Sequence, residues 1–168
     1  MPAHLSEAET SRYIDTPHGK IHLHQAGTGH PIVMLHGSGP GATGWSNFNP
    51  NMAQLAEDFQ VIAPDMPGWG KSDSVTYEDR DHVTSAIHLL DALGIEKAAF
   101  VGNSMGGATS LKVAARHPDR VSHVVSMGAG APARASSARA TAPRRASRFC
   151  TAATAIRRRR RCARWSTS

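Results

Sequence analysis

Cysteine is nearly absent from this 168-residue chain, which holds only Cys150 and Cys162. Two thiols make no disulfide framework, and their spacing matches no metal-ligand pattern. Long apolar runs are missing too. The longest are a few residues, such as Ile32-Val33-Met34-Leu35, whereas a membrane span needs about 20. The N-terminal stretch MPAHLSEAET has no apolar segment behind a basic start, so no secretory signal is expected and the cytoplasm is the default location. Charge of one sign is absent from the C-terminal part. Residues 131–168 contain 11 Arg and no Lys, Asp or Glu, a balance of +11. Residues 1–130 carry 8 Lys/Arg against 13 Asp/Glu, a balance of −5, so the net +6 averages an acidic body and a basic tail. Proton acceptors also run out early: the final histidine is His123, the final aspartate Asp119 and the final glutamate Glu96.

What remains suits one domain with a real core. Ile21-His22-Leu23-His24 alternates as a half-exposed strand does, and Pro31–Leu35 is a continuous run suited to a buried strand. Met52, Leu55, Ala56 and Phe59 recur at helical spacing, and Val61-Ile62-Ala63 reads as another buried strand before the turn Asp65-Met66-Pro67-Gly68. Val83, Ile87, Leu90 and Leu93 share one face of a helix over 81–93, stopped by Gly94 and Ile95. A strand at Ala98–Val101, a helix over Met105–Arg116 halted by Pro118, and a strand over Val121–Met127 follow. Strands alternating with helices predict an α/β fold, a mostly parallel sheet of about six strands with helices on its faces. In such sheets ligands bind beyond the carboxyl ends of the strands, where 36–41, 65–70, 103–104 and 127–128 all fall.

One of those ends carries Gly102-Asn103-Ser104-Met105-Gly106. A serine at this spacing, between a strand and a helix, sits on a turn too sharp for side chains at either glycine, which lifts its hydroxyl above the sheet. The helix starting beside it offers free amides and a positive end to a developing oxyanion. Ser104 is therefore the candidate nucleophile and the Met105 amide one oxyanion donor. The Ser38 amide, in the glycine loop His36-Gly37-Ser38-Gly39-Pro40-Gly41, is the second.

Together, HGSGPGATGWSNF, DMPGWGKSD and GNSMGG resemble the α/β-hydrolase superfamily over about residues 10–130. More narrowly, the long glycine loop with Trp45-Ser46-Asn47 behind it, and Asn103 beside the serine, resemble the meta-cleavage-product hydrolases, which act after extradiol ring opening of aromatic compounds. That resemblance implies a small-molecule substrate, a 2-hydroxy-6-oxo-dienoate, ketonised and then hydrolysed at a carbon–carbon bond without metal or organic cofactor. It implies substrate contacts from Asn47, Asn103 and the Ser38–Gly39 backbone. The residues alone leave Asn47 open as a helix cap and Asn103 as a turn residue. An esterase-type hydrolase of ester-like substrates remains the alternative. Ser104 argues against haloalkane dehalogenases and epoxide hydrolases, which place an aspartate there.

The family order of serine, acid, histidine then exposes a gap. His117 and Asp119 read as a helix terminus and His123 as a strand side chain. His36 is expected to shape the glycine loop, and His22, His24, His82 and His88 to be surface or satisfied structural residues. No residue is left for the base, so the chain is expected to be inactive. The division expected is a partial hydrolase core over 1–130, without its lid and last strands, and an Ala/Arg-rich tail over 131–168 that is disordered or out of frame. A frameshift in a GC-rich gene is preferred for that tail, because it begins where the family pattern stops. The competing account is a non-catalytic domain with a nucleic-acid-binding arm built on the five arginines 157–161. The oligomeric state stays open.

Overall fold

A computed structural model describes residues 5–130. The tail at 131–168, with both cysteines, lies outside the described residues. Six strands form one sheet: β1 (Ser11–Thr16), β2 (Gly19–Ala26), β3 (His30–Leu35), β4 (Phe59–Pro64), β5 (Ala98–Asn103) and β6 (Val121–Met127). A short helix α1 (Glu7–Thr10) precedes them. The longer helices α2 (Gly44–Leu55), α3 (His82–Ala92) and α4 (Met105–Arg116) connect β3 to β4, β4 to β5 and β5 to β6. The strand order is β1-β2-β4-β3-β5-β6. Pairs β3–β4, β3–β5 and β5–β6 are parallel, as expected for most of the sheet, while β1–β2 and β2–β4 are antiparallel.

The pleat of β3 sorts the core into two layers. Val33 and Leu35 join Ile62 and Phe100 beneath Val83, Leu89 and Leu90 of α3 and Val113 of α4. Ile32 and Met34 join Val61 and Ala63 beneath Phe48 and Met52 of α2. Each fully buried Leu or Phe side chain contributes about 1.5–3 kcal/mol, and both faces of a parallel sheet need such cover. Helix α3 matches its expected extent. The Asp81 carboxylate caps it, accepting from the Val83 and Thr84 amides at 3.1 Å each. Gly94 closes it at φ 68°, with the Ile95 amide reaching back to the Leu90 carbonyl at 2.8 Å.

Three local expectations change. Strand β1 was not anticipated, because SRYIDT is an edge strand with no fully buried residue and no apolar pattern. Phe59 starts β4 rather than continuing a helix, α2 having stopped at Leu55. It still packs beside Met52, which is why its spacing looked helical. The alternation of Ile21-His22-Leu23-His24 does not mark a half-exposed strand. All four are buried, since β2 lies between β1 and β4, and the two imidazoles find polar partners inside.

Strand β3 has β4 on one side and β5 on the other, so the connections leaving its region diverge across the sheet. That divergence opens a crevice at the carboxyl ends of β3 and β5, where α/β sheets bind ligands. Replacing the cap that sets α3 in place, Asp81→Ala, should cost about 1 kcal/mol. Urea denaturation should show a lower midpoint with an unchanged slope.

Candidate active site

Strand β5 ends at Asn103 and α4 begins at Met105, leaving Ser104 to make the corner alone. Its backbone stands at φ 51°, ψ −111°, and it is the one non-glycine residue with positive φ among the described residues. Such a conformation costs about 1–3 kcal/mol and persists only where neighbours enforce it. Here they do. The Ser104 amide is bonded to the Met127 carbonyl of β6 at 2.7 Å, and its carbonyl takes the Ala108 amide at 3.0 Å. A Cβ at Gly102 would strike the Gly106 carbonyl, and one at Gly106 the Leu35 carbonyl, so both flanking glycines are required. The serine side chain is exposed and does not cap α4.

The glycine loop after β3 lies against this corner. A methyl built on Gly37 would come within 3.5 Å of Ser104 Cβ. Gly37, Ser38, Gly39, Asn47, Asn103 and Ser104 all line one groove of about 460 Å³. Ser38, Gly39, Asn47, Asn103 and Ser104, singled out in the sequence, are thus brought together, and Met105 follows Ser104 directly. The amides of Ser38 and Met105 have no hydrogen-bond partner among the described residues. Ser38 lines the groove and Met105 is next to Ser104 in the chain, and the Ser104 hydroxyl also has no hydrogen-bond partner among the described residues.

The asparagines hold each other. Asn47 Oδ1 accepts from Asn103 Nδ2 at 3.1 Å and from the Gly37 amide at 3.3 Å. The helix-cap alternative for Asn47 fails, because Thr43 caps α2 in a reciprocal box with Ser46, bonded at 2.9 Å in both directions. Asn47 Nδ2 in turn donates to Ser46 Oγ at 3.4 Å, which leaves one Asn47 N–H as a free donor and the Asn103 carbonyl oxygen as a free acceptor among the described residues.

Two residues organise the loop from behind. His36 is fully buried, with Nδ1 2.7 Å from the Gly37 carbonyl and Nε2 2.9 Å from the Met66 amide. A carbonyl can only accept and an amide only donate, so the ring is neutral and carries its proton on Nδ1. The other is Asp65, to which sequence reasoning gave no role. Its carboxylate, 1% exposed, accepts from the Gly44 amide (2.8 Å), the Lys71 amide (2.9 Å) and His22 Nδ1 (2.8 Å). The signal is present in DMPGWGKSD, an acid at the end of a buried strand followed by a glycine turn, although the sequence marks that stretch only as a turn, a rim loop and a family motif. Ser72 and Asp73 of the same motif tie that turn to β2 through the His22 and Lys20 amides.

None of the nine described histidines bonds Ser104. His22 and His24 are engaged with Asp65, Ser11 and Thr10, and His30 with Ser122. His18 stacks on His88, and His82 lies against Trp69. His117 ends α4, about 20 Å along the helix from the serine. His123 pairs with Ala99, at the far end of β5 from Asn103. No cluster of three or more potential metal ligands exists among the described residues, and no described helix is long and apolar enough to cross a membrane.

A strained serine on a sharp turn from a parallel strand into a helix, with glycines that have no room for a Cβ on either side, is the strand–turn–helix corner of the α/β-hydrolase fold. The chain belongs to the α/β-hydrolase fold family, whose sequence pattern matches residues 30–159. Among curated relatives, the 2-hydroxy-6-oxo-6-phenylhexa-2,4-dienoate hydrolase of Burkholderia cepacia is 44% identical over 75% of this chain and 47% of its own length. The 2-hydroxymuconate semialdehyde hydrolase of Pseudomonas sp. (strain CF600) is 44% identical over 76% of this chain and 46% of its own. The solved meta-cleavage product hydrolase of Pseudomonas fluorescens IP01, a mutant complexed with acetates, superposes with a TM-score of 0.69 at 36% identity, over 73% of this chain and 46% of its own. The chain spans about half the length of the curated relatives it matches.

Burial holds the His36, His24 and His82 pKa values below the ordinary range, aided at His24 by His22 and at His82 by Arg80. A lowered histidine pKa contributes stability above its unfolded value of about 6.5, and that stability is lost as pH falls through the folded value. Asp81, lowered by its Thr84 bonds, adds an acid limb only below about pH 4. Thermal melts should therefore show a midpoint that falls between pH 7 and pH 5. His36→Gln, which can keep both bonds without titrating, should flatten that slope.

Proposed function

We propose that this chain carries the nucleophile, oxyanion donors and substrate-binding face of a hydrolase that cleaves the carbon–carbon bond of 2-hydroxy-6-oxo-dienoates. The observation that carries the reading is the pairing of Ser104, held at φ 51°, with a groove lined by Ser38, Asn47 and Asn103. A dienoate ends in a carboxylate beside a hydroxyl. Asn47 offers that end a donor and Asn103 an acceptor, with the Ser38–Gly39 backbone alongside. The distal carbonyl then sits over Ser104, its oxygen toward the Ser38 and Met105 amides. In the overall reaction, ketonisation places a proton on the dienol carbon. Water's oxygen then ends on the carbonyl carbon, and the electrons of the broken carbon–carbon bond take up a proton in the departing fragment. No metal or organic cofactor enters these steps. The reading includes a cytoplasmic setting and a small-molecule rather than nucleic-acid partner.

Proton transfer is the part that the described residues do not supply. The family order requires an acid and then a histidine after Ser104, and His117, Asp119 and His123 all lie away from it in the described structure. Loss of the histidine from a serine-hydrolase triad lowers turnover by roughly 10⁶-fold. Two measurements test the proposal. A dienoate titration followed by absorbance should show binding that Asn103→Ala or Asn47→Ala weakens about tenfold, the loss of one hydrogen bond to the hydroxyl or the carboxylate. Assays on dienoates and p-nitrophenyl esters should show no turnover that Ser104→Ala removes. Ser104-dependent hydrolysis would refute the missing base. Affinity for simple esters with none for dienoates would favour an esterase instead.

A further inference from the structure

We infer that His36 is the residue that aims the Ser38 amide into the groove, a positioning role that rests on the oxyanion reading above. The Gly37–Ser38 peptide is one rigid unit. It is trans, as are all the described peptide bonds, so its carbonyl and its N–H point in opposite directions. The carbonyl end, Gly37 O, is held 2.7 Å from Nδ1 of His36, whose ring is wholly buried. The N–H end, on Ser38, must then point away from the ring and toward the groove that Ser38 lines. Fixing one end of the peptide aims the other.

The lock depends on which ring nitrogen carries the proton. Met66 donates its amide to Nε2 at 2.9 Å, which keeps that nitrogen bare and the proton on Nδ1. The opposite tautomer would set an N–H against the Met66 N–H and a lone pair against the Gly37 carbonyl. Met66 in turn follows Asp65, fixed through Gly44, Lys71 and His22. Glycine at 37 makes the lock necessary, since a residue without Cβ offers little resistance to rotating the peptide that follows it. A second grip comes from Asn47 Oδ1 on the Gly37 amide, and it restrains the preceding peptide rather than the one that carries the Ser38 N–H. The charged and titratable groups that bear on the ring are Asp65 and His82, with the Trp69 indole edge-on at 5.9 Å.

Nitrogen-15 NMR of the full chain tests this directly, with sodium acetate as the oxyanion-mimicking probe. At pH 7.5 the His36 ring should show a protonated Nδ1 and a bare Nε2. Acetate should shift the Ser38 and Met105 amide protons together. In folded His36→Leu the Ser38 shift at saturation should vanish while that of Met105 persists, and His36→Gln, able to donate and accept in the same places, should restore it. An unchanged Ser38 response in folded His36→Leu, or a proton found on Nε2, overturns the inference. If His36→Leu does not fold, the tautomer and the His36→Gln response decide it. If acetate shifts neither amide in the parent chain, the oxyanion reading fails. The tautomer and the solvent exchange of the Ser38 amide, expected to quicken in His36→Leu, then judge the positioning role alone.

Discussion

The buried carboxylate of Asp65 is the constraint on which the site's frame rests. Taking an ionised carboxylate out of water costs several kcal/mol, which is recovered only when its lone pairs are well satisfied. Asp65 draws its three donors from three separate places: the first residue of α2, the turn after β4, and the middle of β2. Its own amide bonds the His22 carbonyl at 2.9 Å, and its own carbonyl takes the Ser72 hydroxyl at 2.6 Å. A polar hub of this kind tolerates little displacement, because moving any one element strands a charge inside the protein. Apolar packing alone would fix the same elements less specifically, since a hydrophobic contact survives a slide of an ångström and a hydrogen bond to a buried charge does not. The glycine loop begins beside His36 and ends at Gly44, so both of its ends are tied to this corner of the sheet.

Rigidity there permits strain elsewhere. Ser104 occupies a conformation that side chains avoid, and its local sequence offers no compensation beyond two glycines. The compensation is tertiary: β5 is paired on both sides, Phe100 is fully buried within it, and Val113 of α4 packs into the same layer.

The fold was largely legible because its signals are local. The run Ile32–Leu35, the helical face of Val83, Ile87 and Leu90, and the glycine stop at Gly94 each report on a few neighbouring residues. The bounds of α4 and β6 follow from Pro118 and from the serine turn for the same reason. Strand β1 was not legible, since an exposed edge strand buries too little to need a pattern. That Ser104, Ser38, Asn47 and Asn103 line one groove was legible because they lie in short stretches at or just behind the carboxyl ends of β3 and β5. What escaped was long-range polarity. His22 and Asp65 are 43 positions apart, and nothing in the alternation of Ile21-His22-Leu23-His24 tells a histidine facing solvent from one donating to a buried acid. Asn47 shows the same limit: its partners Gly37 and Asn103 lie on other elements, so its cap reading could be dismissed only once Thr43 was seen in that place.

The order of the rim loops explains why half of a relative's length can still hold a coherent piece of chemistry. In a parallel sheet each strand delivers one loop to the rim, so the site is assembled in sequence order. On the proposed reading, the first loops here, 36–43, 65–81 and 103–105, supply the groups that orient charge: the oxyanion amides, their frame, and the serine itself. In the family order, the groups that move protons come later. Electrostatic preorganisation and proton transfer are therefore separable along the chain. In serine proteases, preorganisation and binding without the triad retain only about 10³–10⁴ over water. On the proposed reading, the geometry at Ser104 bears on what the corner binds, while the rate depends on a base that none of the described histidines supplies.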